Sequence, residues 1–127
     1  MKKCHLTQKG PRAIGPYSTC TMAGGCCYIS GMLGVVPKEG RLIEGGVEAQ
    51  ARKAFENMRI VLEEVGLTTD SVLKTTVFLT DLGNFAAVNQ IYGEFFGPNY
   101  PARSCVEVSR LPMNALVEIE AIATAES

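Results

Sequence analysis

The feature that most constrains the fold is a long amphipathic stretch, residues 47–65, near the middle of the chain. Apolar side chains recur there every three or four residues, and charged side chains lie between them. The apolar positions are Ala51, Ala54, Phe55, Met58, Val61, Leu62 and Val65. This spacing predicts an α-helix with one buried face, and Gly66 fits the left-handed residue that ends many helices. Such a helix must bury its apolar face against another layer of structure.

The flanking segments predict that other layer. A second helix is expected over residues 84–96, with Asn84 as its N-cap. Residues 31–46 are rich in glycine and are expected to form a loop, with room for a small hairpin around residues 38–40. The expected order is β-β-α-β-α-β-β, in a single α+β domain over residues 1–127. The strands are predicted where β-branched and aromatic residues concentrate, at residues 17–22, 26–30, 71–80, 104–108 and 116–123.

Two helices can cover only one face of a sheet of this size. The strand segments carry apolar side chains on both faces, and a single small domain has nothing left to cover the second face. Because large exposed apolar faces mark interaction sites, we expect a homo-oligomer.

The composition argues against two classes of partner. There are 12 Lys+Arg and 13 Asp+Glu residues, a formal net charge of -1, and no basic stretch, whereas nucleic-acid affinity rests largely on phosphate neutralisation. Aromatic residues make up only 7% and tryptophan is absent, so base stacking is poorly supplied. No apolar run is long enough for a membrane span, and the polar N-terminus lacks a secretory signal. We therefore expect a soluble cytoplasmic protein without nucleic-acid or membrane partners.

The five cysteines do not form a recognisable disulfide framework, since their number is odd and no C-x-x-C occurs. A zinc site built from Cys4, His5, Cys20 and either Cys26 or Cys27 is an alternative, but its spacing does not match known structural sites. We therefore expect no metal and treat the cysteines as free thiols in a reducing cytosol. His5, the only histidine, lies near a terminus that we expect to be mobile.

Candidate chemistry concentrates in residues 101–120, where two strand-like runs carry charged side chains. Arg103 opens the first run, and Glu118 and Glu120 lie in the second. If these strands pair as a hairpin, Arg103 and Glu118 can border one cleft. The planar guanidinium suits a ligand carboxylate, and a nearby glutamate can orient and deprotonate a water. Together they suit hydrolysis of a small carboxylate-bearing electrophile.

Two other interpretations of this region stay open at this point. The first is a solvated Arg–Glu ladder on an exposed face, because surface ion pairs are common and contribute little energy. The second makes Cys105 a nucleophile whose pKa is lowered by Arg103, although no base accompanies it.

Several segments together match a known family pattern. They are AIGPYS at 13–18, YISG at 28–31, KTTVFLTDL at 74–82, VNQIYGEFF at 88–96, PARSCVEVSRLP at 101–112 and VEIEAIA at 117–123. Over almost its whole length the sequence resembles the RidA (YjgF/YER057c/UK114) family of reactive intermediate imine deaminases. The resemblance implies a chorismate-mutase-like α+β fold. It also implies a homotrimer whose sheets line a central barrel, with ligand pockets in the clefts between subunits.

The resemblance further implies hydrolysis of 2-imino acids, such as 2-iminobutanoate and 2-iminopropanoate, to 2-oxo acids and ammonia. These imines form from enamines that pyridoxal-phosphate-dependent dehydratases release from threonine or serine, and no cofactor is needed for their hydrolysis. By position, Arg103 would bind the substrate carboxylate. Glu118 would hold the attacking water with help from the backbone carbonyl of Cys105, and Glu120 would be the structural partner of Glu118. The residues implied to line the pocket are Tyr17, Ser30, Gly31 and Asn89.

The sequence departs from the family pattern at three places. Met32 stands where many members have glutamine, Met113 stands where many have a basic residue, and the pair Cys26 and Cys27 is unusual. These differences leave the preferred imino acid open. Two other functions also stay open, namely a ribonuclease or translation inhibitor, and a non-catalytic metabolite-binding regulator or chaperone-like protein.

Overall fold

The computed structural model of the chain describes residues 1–125, which form a six-stranded sheet, a two-stranded hairpin and two α-helices. Short 3-10 turns precede β6, α2 and β8. In chain order the elements are β1 (Lys3–His5), β2 (Cys20–Ala23), β3 (Cys26–Leu33), β4 (Val35–Val36), β5 (Arg41–Leu42), α1 (Gly46–Glu64), β6 (Val72–Leu79), α2 (Phe85–Phe96), β7 (Ala102–Glu107) and β8 (Val117–Thr124).

The strands of the large sheet lie in the order β1-β2-β3-β8-β6-β7. Neighbouring strands are antiparallel, apart from β6 and β7, which are parallel. A parallel pair needs a long connection between its strands, and α2 provides that connection. β8 therefore lies inside the sheet, between β3 and β6, while β1 and β7 form its two edges.

The expected hairpin between the Arg103 strand and the last strand is wrong. Arg103 on β7 lies opposite Thr75 of β6, and Glu118 on β8 lies opposite Phe78 of the same strand. β6 thus separates the two charged residues. The crossover through α2 makes β7 parallel to β6 and leaves it on the outer edge, because the other edge of β6 is already occupied by β8.

Both helices pack on one face of the sheet, as expected. The core between them contains Phe55, whose ring contacts Tyr92, Phe95 and Phe96 edge to face at centroid distances of 5.8, 5.7 and 6.1 Å. All of the predicted apolar positions on α1 from Ala51 to Leu62 are buried. The helix ends at Glu64, and Gly66 has a φ of 80°, so the predicted stop is confirmed.

The opposite face of the sheet is exposed and only partly apolar. Tyr28 and Val106 are 48% and 41% exposed. Between them lie polar side chains, including Lys74, whose Nζ donates a hydrogen bond of 3.2 Å to Thr76 Oγ1. A face of this mixed character is compatible with a polar interface between copies.

The N-terminal part of the chain differs from the sequence expectation. Residues 3–5 form β1, which pairs with β2 and was not predicted, and the strand expected over residues 17–22 begins only at Cys20. The small hairpin expected around residues 38–40 is confirmed by the pairing of β4 with β5. Neither helix within residues 1–125 combines the length and apolar character that crossing a lipid bilayer requires.

Candidate functional site

Arg103 is held by one face of α2. Its Nη1 donates a hydrogen bond of 2.7 Å to Asn89 Oδ1. The guanidinium carbon lies 4.7 Å from the ring centroid of Tyr92 and 5.4 Å from that of Phe85. These three helix residues are spaced by four and three positions, so they share one helix face. The aromatic rings favour a cation at this place and fix the orientation of the guanidinium.

No carboxylate within residues 1–125 forms an ion pair with Arg103. The side chain is partly buried, and Asn89 occupies only one of its five N–H donors. A partly buried cation with free donors and no counter-ion is a place for an anion, above all a carboxylate. We call the surrounding cleft of about 340 Å³ the arginine cleft; it is lined by Asn89, Tyr92, Gly93, Tyr100, Pro101 and Arg103.

Glu118 lies on the opposite face of the sheet. Its side chain covers Gly31 of β3 so closely that a Cβ atom at position 31 would lie 2.5 Å from Glu118 Oε2. Any larger residue at position 31 would therefore displace the carboxylate. We call the surrounding cleft of about 360 Å³ the glutamate cleft; it is lined by Ile14, Tyr17, Ser30, Gly31, Leu33, Pro112, Glu118 and Glu120.

The pKa of Glu118 is raised above its ordinary value of 4.5, first by burial and then by the negative charge of Glu120. Within the described chain Glu118 forms no ion pair and no side-chain hydrogen bond that would offset this effect. A carboxylate with a raised pKa is a stronger base than an ordinary glutamate, which suits proton abstraction from water.

Cys105 shares the inward face of β7 with Arg103, but its thiol is not activated. Burial raises the pKa of the Cys105 thiol by more than the charge of Arg103 lowers it. The expectation that Arg103 would lower this pKa is therefore wrong in its net direction, because desolvation of the thiolate exceeds the attraction of the cation. The nucleophile hypothesis for Cys105 loses its physical basis.

The residues expected to form one site thus lie on two opposite faces of the large sheet. The arginine cleft brings together Arg103 and Asn89, next to Cys105 on the same strand. The glutamate cleft contains Tyr17, Ser30, Gly31 and Glu118. Arg103 and Glu118 do not pair, so the alternative of a solvated Arg–Glu ladder is also wrong.

The sequence did not lead us to expect that Tyr92 and Phe85 would contact Arg103. Their spacing from Asn89 on one helix face was the signal that could have identified them. The pKa of Tyr92 is raised by burial, against the effects of Thr75 and Arg103. Its hydroxyl lies 2.6 Å from Thr75 Oγ1, and this contact holds the ring in place beneath Arg103.

The zinc alternative is not supported by the structure. Cys20 and Cys27 are buried in the core, Cys4 is exposed, and His5 Nε2 lies 2.9 Å from Glu64 Oε1. Across residues 1–125 no three His, Cys, Asp or Glu side chains are grouped so that they could hold a metal ion. All five cysteines are free thiols.

Comparison with known proteins gives consistent results. The sequence profile of the family described as Endoribonuclease L-PSP matches residues 7–125. The human 2-iminobutanoate/2-iminopropanoate deaminase is 44% identical over 117 residues, which cover 92% of this chain and 85% of the human protein. The crystal structure of Escherichia coli TdcF with bound serine has a TM-score of 0.92 and 41% identity, covering 98% of this chain and 99% of that one. RidA from the Antarctic bacterium Psychrobacter also has a TM-score of 0.92, with 40% identity and coverage of 96% and 98%.

Proposed function

Because the chain belongs to the Endoribonuclease L-PSP family, which includes the RidA, YjgF and UK114 proteins, we propose that it hydrolyses reactive 2-imino acids to 2-oxo acids and ammonia. Deaminase activity is the function that the names of its relatives support. The proposed substrates are 2-iminobutanoate and 2-iminopropanoate, after the human relative. Threonine and serine dehydratases are the proposed source of the imines.

The observation that carries this proposal is the unpaired Arg103. Its guanidinium is fixed by Asn89 and Tyr92 and faces an open cleft without a counter-ion. A ligand carboxylate would complete its hydrogen bonding in the bidentate geometry that arginine prefers. The cleft would therefore select acids over neutral imines.

The site requires a second copy of the chain, because Arg103 and Glu118 lie on opposite faces of one sheet. We propose a homotrimer in which the arginine cleft of one protomer meets the glutamate cleft of its neighbour. A repeating contact between two different surfaces forms a ring when its rotation closes, as in a trimer. The unpaired charges of the two clefts, one positive and one negative, are complementary across such a contact.

In the proposed reaction Arg103 holds the substrate carboxylate while Glu118 of the neighbouring protomer accepts a proton from water. The water oxygen forms a bond to the imine carbon and gives a carbinolamine. The imine nitrogen takes up the proton from Glu118 in this step. The hydroxyl proton of the carbinolamine then passes through Glu118 to the same nitrogen, the C=O bond forms as the C–N bond breaks, and ammonia leaves the 2-oxo acid. The backbone carbonyl of Cys105 would accept a hydrogen bond from the attacking water and help to hold it in place. Since the imine carbon is already electrophilic, positioning supplies much of the catalysis.

The other candidate residues have supporting roles in this proposal. Gly31 gives space to Glu118, and Ser30 fixes the adjacent backbone, with its Oγ donating a hydrogen bond of 2.7 Å to Ser18 O. Tyr17 forms an exposed wall of the glutamate cleft. No cofactor is proposed, and the free cysteines support a reducing compartment such as the cytoplasm.

Two other functions have a specific observation in their favour. The family description names an endoribonuclease, and a related structure holds serine, which suits a metabolite-binding regulator. A net charge of -1 gives little affinity for RNA phosphates. Steeply salt-dependent RNA binding would favour the first function, and binding of 2-oxo acids without turnover would favour the second.

The proposal is tested with threonine, a threonine dehydratase and semicarbazide, which traps the free imine. We expect the protein to accelerate release of 2-oxobutanoate in competition with the trap. Arg103→Ala should abolish this acceleration, whereas Arg52→Ala should not, because Arg52 is exposed and pairs only with Glu94 on the surface. A protein that never outcompetes semicarbazide would contradict the proposed activity.

A further inference from the structure

Glu64, the last residue of α1, is bound by four groups from the start of the chain. Its Oε1 lies 2.9 Å from His5 Nε2 and accepts a hydrogen bond of 2.8 Å from Thr7 Oγ1. Its Oε2 accepts hydrogen bonds of 3.0 and 2.8 Å from the backbone N–H groups of Gln8 and Lys9. The side chain is only 11% exposed. A single carboxylate therefore fixes residues 5–9 onto the helix.

The position of this carboxylate is unfavourable for the helix itself. A negative charge at a helix C-terminus opposes the macrodipole, and the last turn of α1 contains no basic residue. Glu64 therefore stabilises the fold through its contacts with the start of the chain and not through the helix dipole.

We call residues 6–19, which connect β1 to β2, the N-terminal loop. Hydrogen bonds extend from Glu64 through this loop to the candidate site. Thr7 N donates to Thr19 Oγ1 at 2.9 Å, and Ser30 N donates to Thr19 O at 2.9 Å. Thr19 is buried, so the end of this connection next to Ser30 is shielded from water. It links the end of α1 to Ser30 of the glutamate cleft.

The middle of the N-terminal loop has no regular secondary structure, yet it supplies a wall of the cleft. Ile14 and Tyr17 line the glutamate cleft, and Pro11 and Arg12 line a smaller neighbouring cavity of about 110 Å³. The contacts of Glu64 and Thr19 hold the two ends of this segment. Ser30 Oγ, which donates to Ser18 O, adds a further attachment at the second end.

We propose that Glu64 is a positioning residue that sets the place of the N-terminal loop and, through it, the Tyr17 wall of the glutamate cleft. The consequence for substrate rests on the proposed deaminase function, whereas the anchoring itself does not. Although burial raises the pKa of Glu64, its hydrogen bonds with His5, Lys9, Thr7 and Gln8 lower that pKa to about 2. The anchor is therefore charged throughout the neutral range.

The test compares Glu64→Gln with Glu63→Gln. Glu63 is the adjacent residue, is 57% exposed and pairs only with Arg59 within α1, so it controls for the loss of a charge at the same helix end. Amide hydrogen exchange of the intact protein reports the N-terminal loop directly. Steady-state kinetics on dehydratase-generated imine show whether substrate binding in the glutamate cleft has changed.

For Glu64→Gln we expect exchange at Gln8 and Lys9 to become about tenfold faster or more, while β3 and β8 keep their protection. We expect KM to rise about tenfold with kcat reduced less than about threefold, because a displaced wall weakens binding. Glu63→Gln should match the wild type in both. A loss of stability alone would lower the amount of active protein and leave KM unchanged.

Unchanged exchange at Gln8 and Lys9 in Glu64→Gln would overturn the anchoring. Faster exchange with an unchanged KM would overturn its consequence for the cleft. If Glu64→Gln does not fold, Thr7→Val replaces it, because it removes the hydroxyl that donates to Glu64 with little change of shape. Absence of deaminase activity in the wild type would refute the proposed function, and the exchange result would still decide the anchoring.

Discussion

Mixing two inactive variants would test the division of the site between protomers. Arg103→Ala removes the proposed carboxylate anchor, and Glu118→Gln removes the proposed base. Within one chain these residues cannot meet, since β6 lies between their strands. Neighbouring strands are about 4.8 Å apart, so β7 and β8 are separated by about 10 Å. The two side chains also point to opposite faces of the sheet.

The expected recovery of activity is the fraction of interfaces that receive both an intact Arg103 and an intact Glu118. A site is intact only if the protomer supplying Arg103 is the Glu118→Gln variant and its neighbour is the Arg103→Ala variant. After random exchange of an equal mixture, about one quarter of the sites in a closed ring meet this condition. We therefore expect about one quarter of wild-type activity from two proteins that are each inactive.

The assay is release of 2-oxobutanoate in competition with semicarbazide, measured after the two variants are unfolded together and refolded. Native mass spectrometry of the refolded mixture, with one variant carrying a mass tag, shows whether mixed rings have formed. An equal mixture of Arg103→Ala with wild type should keep about half of the activity whether or not protomers exchange, so it controls for recovery on refolding. If mixed rings have formed and the mixture with wild type keeps half of its activity, but the mixture of the two variants stays inactive, the site is not shared between protomers.

Three further outcomes are expected. Gly31→Ala should lower kcat/KM about 10²-fold, because the new Cβ would lie 2.5 Å from Glu118 Oε2, whereas Gly15→Ala, with its nearest neighbour at 3.6 Å, should have little effect; equal activities would contradict the role of this contact. Because burial and Glu120 raise the pKa of Glu118, Glu120→Gln should move the acid limb of kcat/KM to lower pH than in wild type, and an unmoved limb in a pH series would argue against Glu118 as the base. The pKa of Glu64 is lowered from 4.5 to about 2, so its contribution to stability is complete above pH 4.5 and is lost as the pH falls towards 2. This contribution is about 3 kcal/mol, and urea unfolding at stepped pH should show a flatter dependence over that window in Glu64→Gln than in wild type, while parallel curves would refute it.

The helices were predictable because their signal is local. The periodicity of residues 47–65 and the stop at Gly66 depend only on neighbouring residues, and both were confirmed. The small hairpin before α1 was also marked by its own turn residues. The family resemblance likewise identified the fold class, since its motifs extend along almost the whole chain.

The partners of the strands were not predictable in the same way. Strands that follow each other in sequence often pair, which favoured a hairpin between β7 and β8. The crossover through α2 instead placed β7 parallel to β6, and this result depends on tertiary packing. β1 has only three residues, which are too few to show a period, and its last residue, His5, contacts the distant Glu64. This strand order, together with the registers of β7 and β8 against β6, places Arg103 and Glu118 on opposite faces of the sheet.

The strand that comes last along the chain occupies the middle of the sheet. β3 and β6 are both made before β8 but bond to each other only through it. Until β8 emerges during synthesis, the nascent chain presents two unsatisfied strand edges, which are templates for aggregation. A chain truncated before residue 117 would thus contain the sheet as two unjoined halves. Chaperone capture should be strongest for chains truncated just ahead of that point.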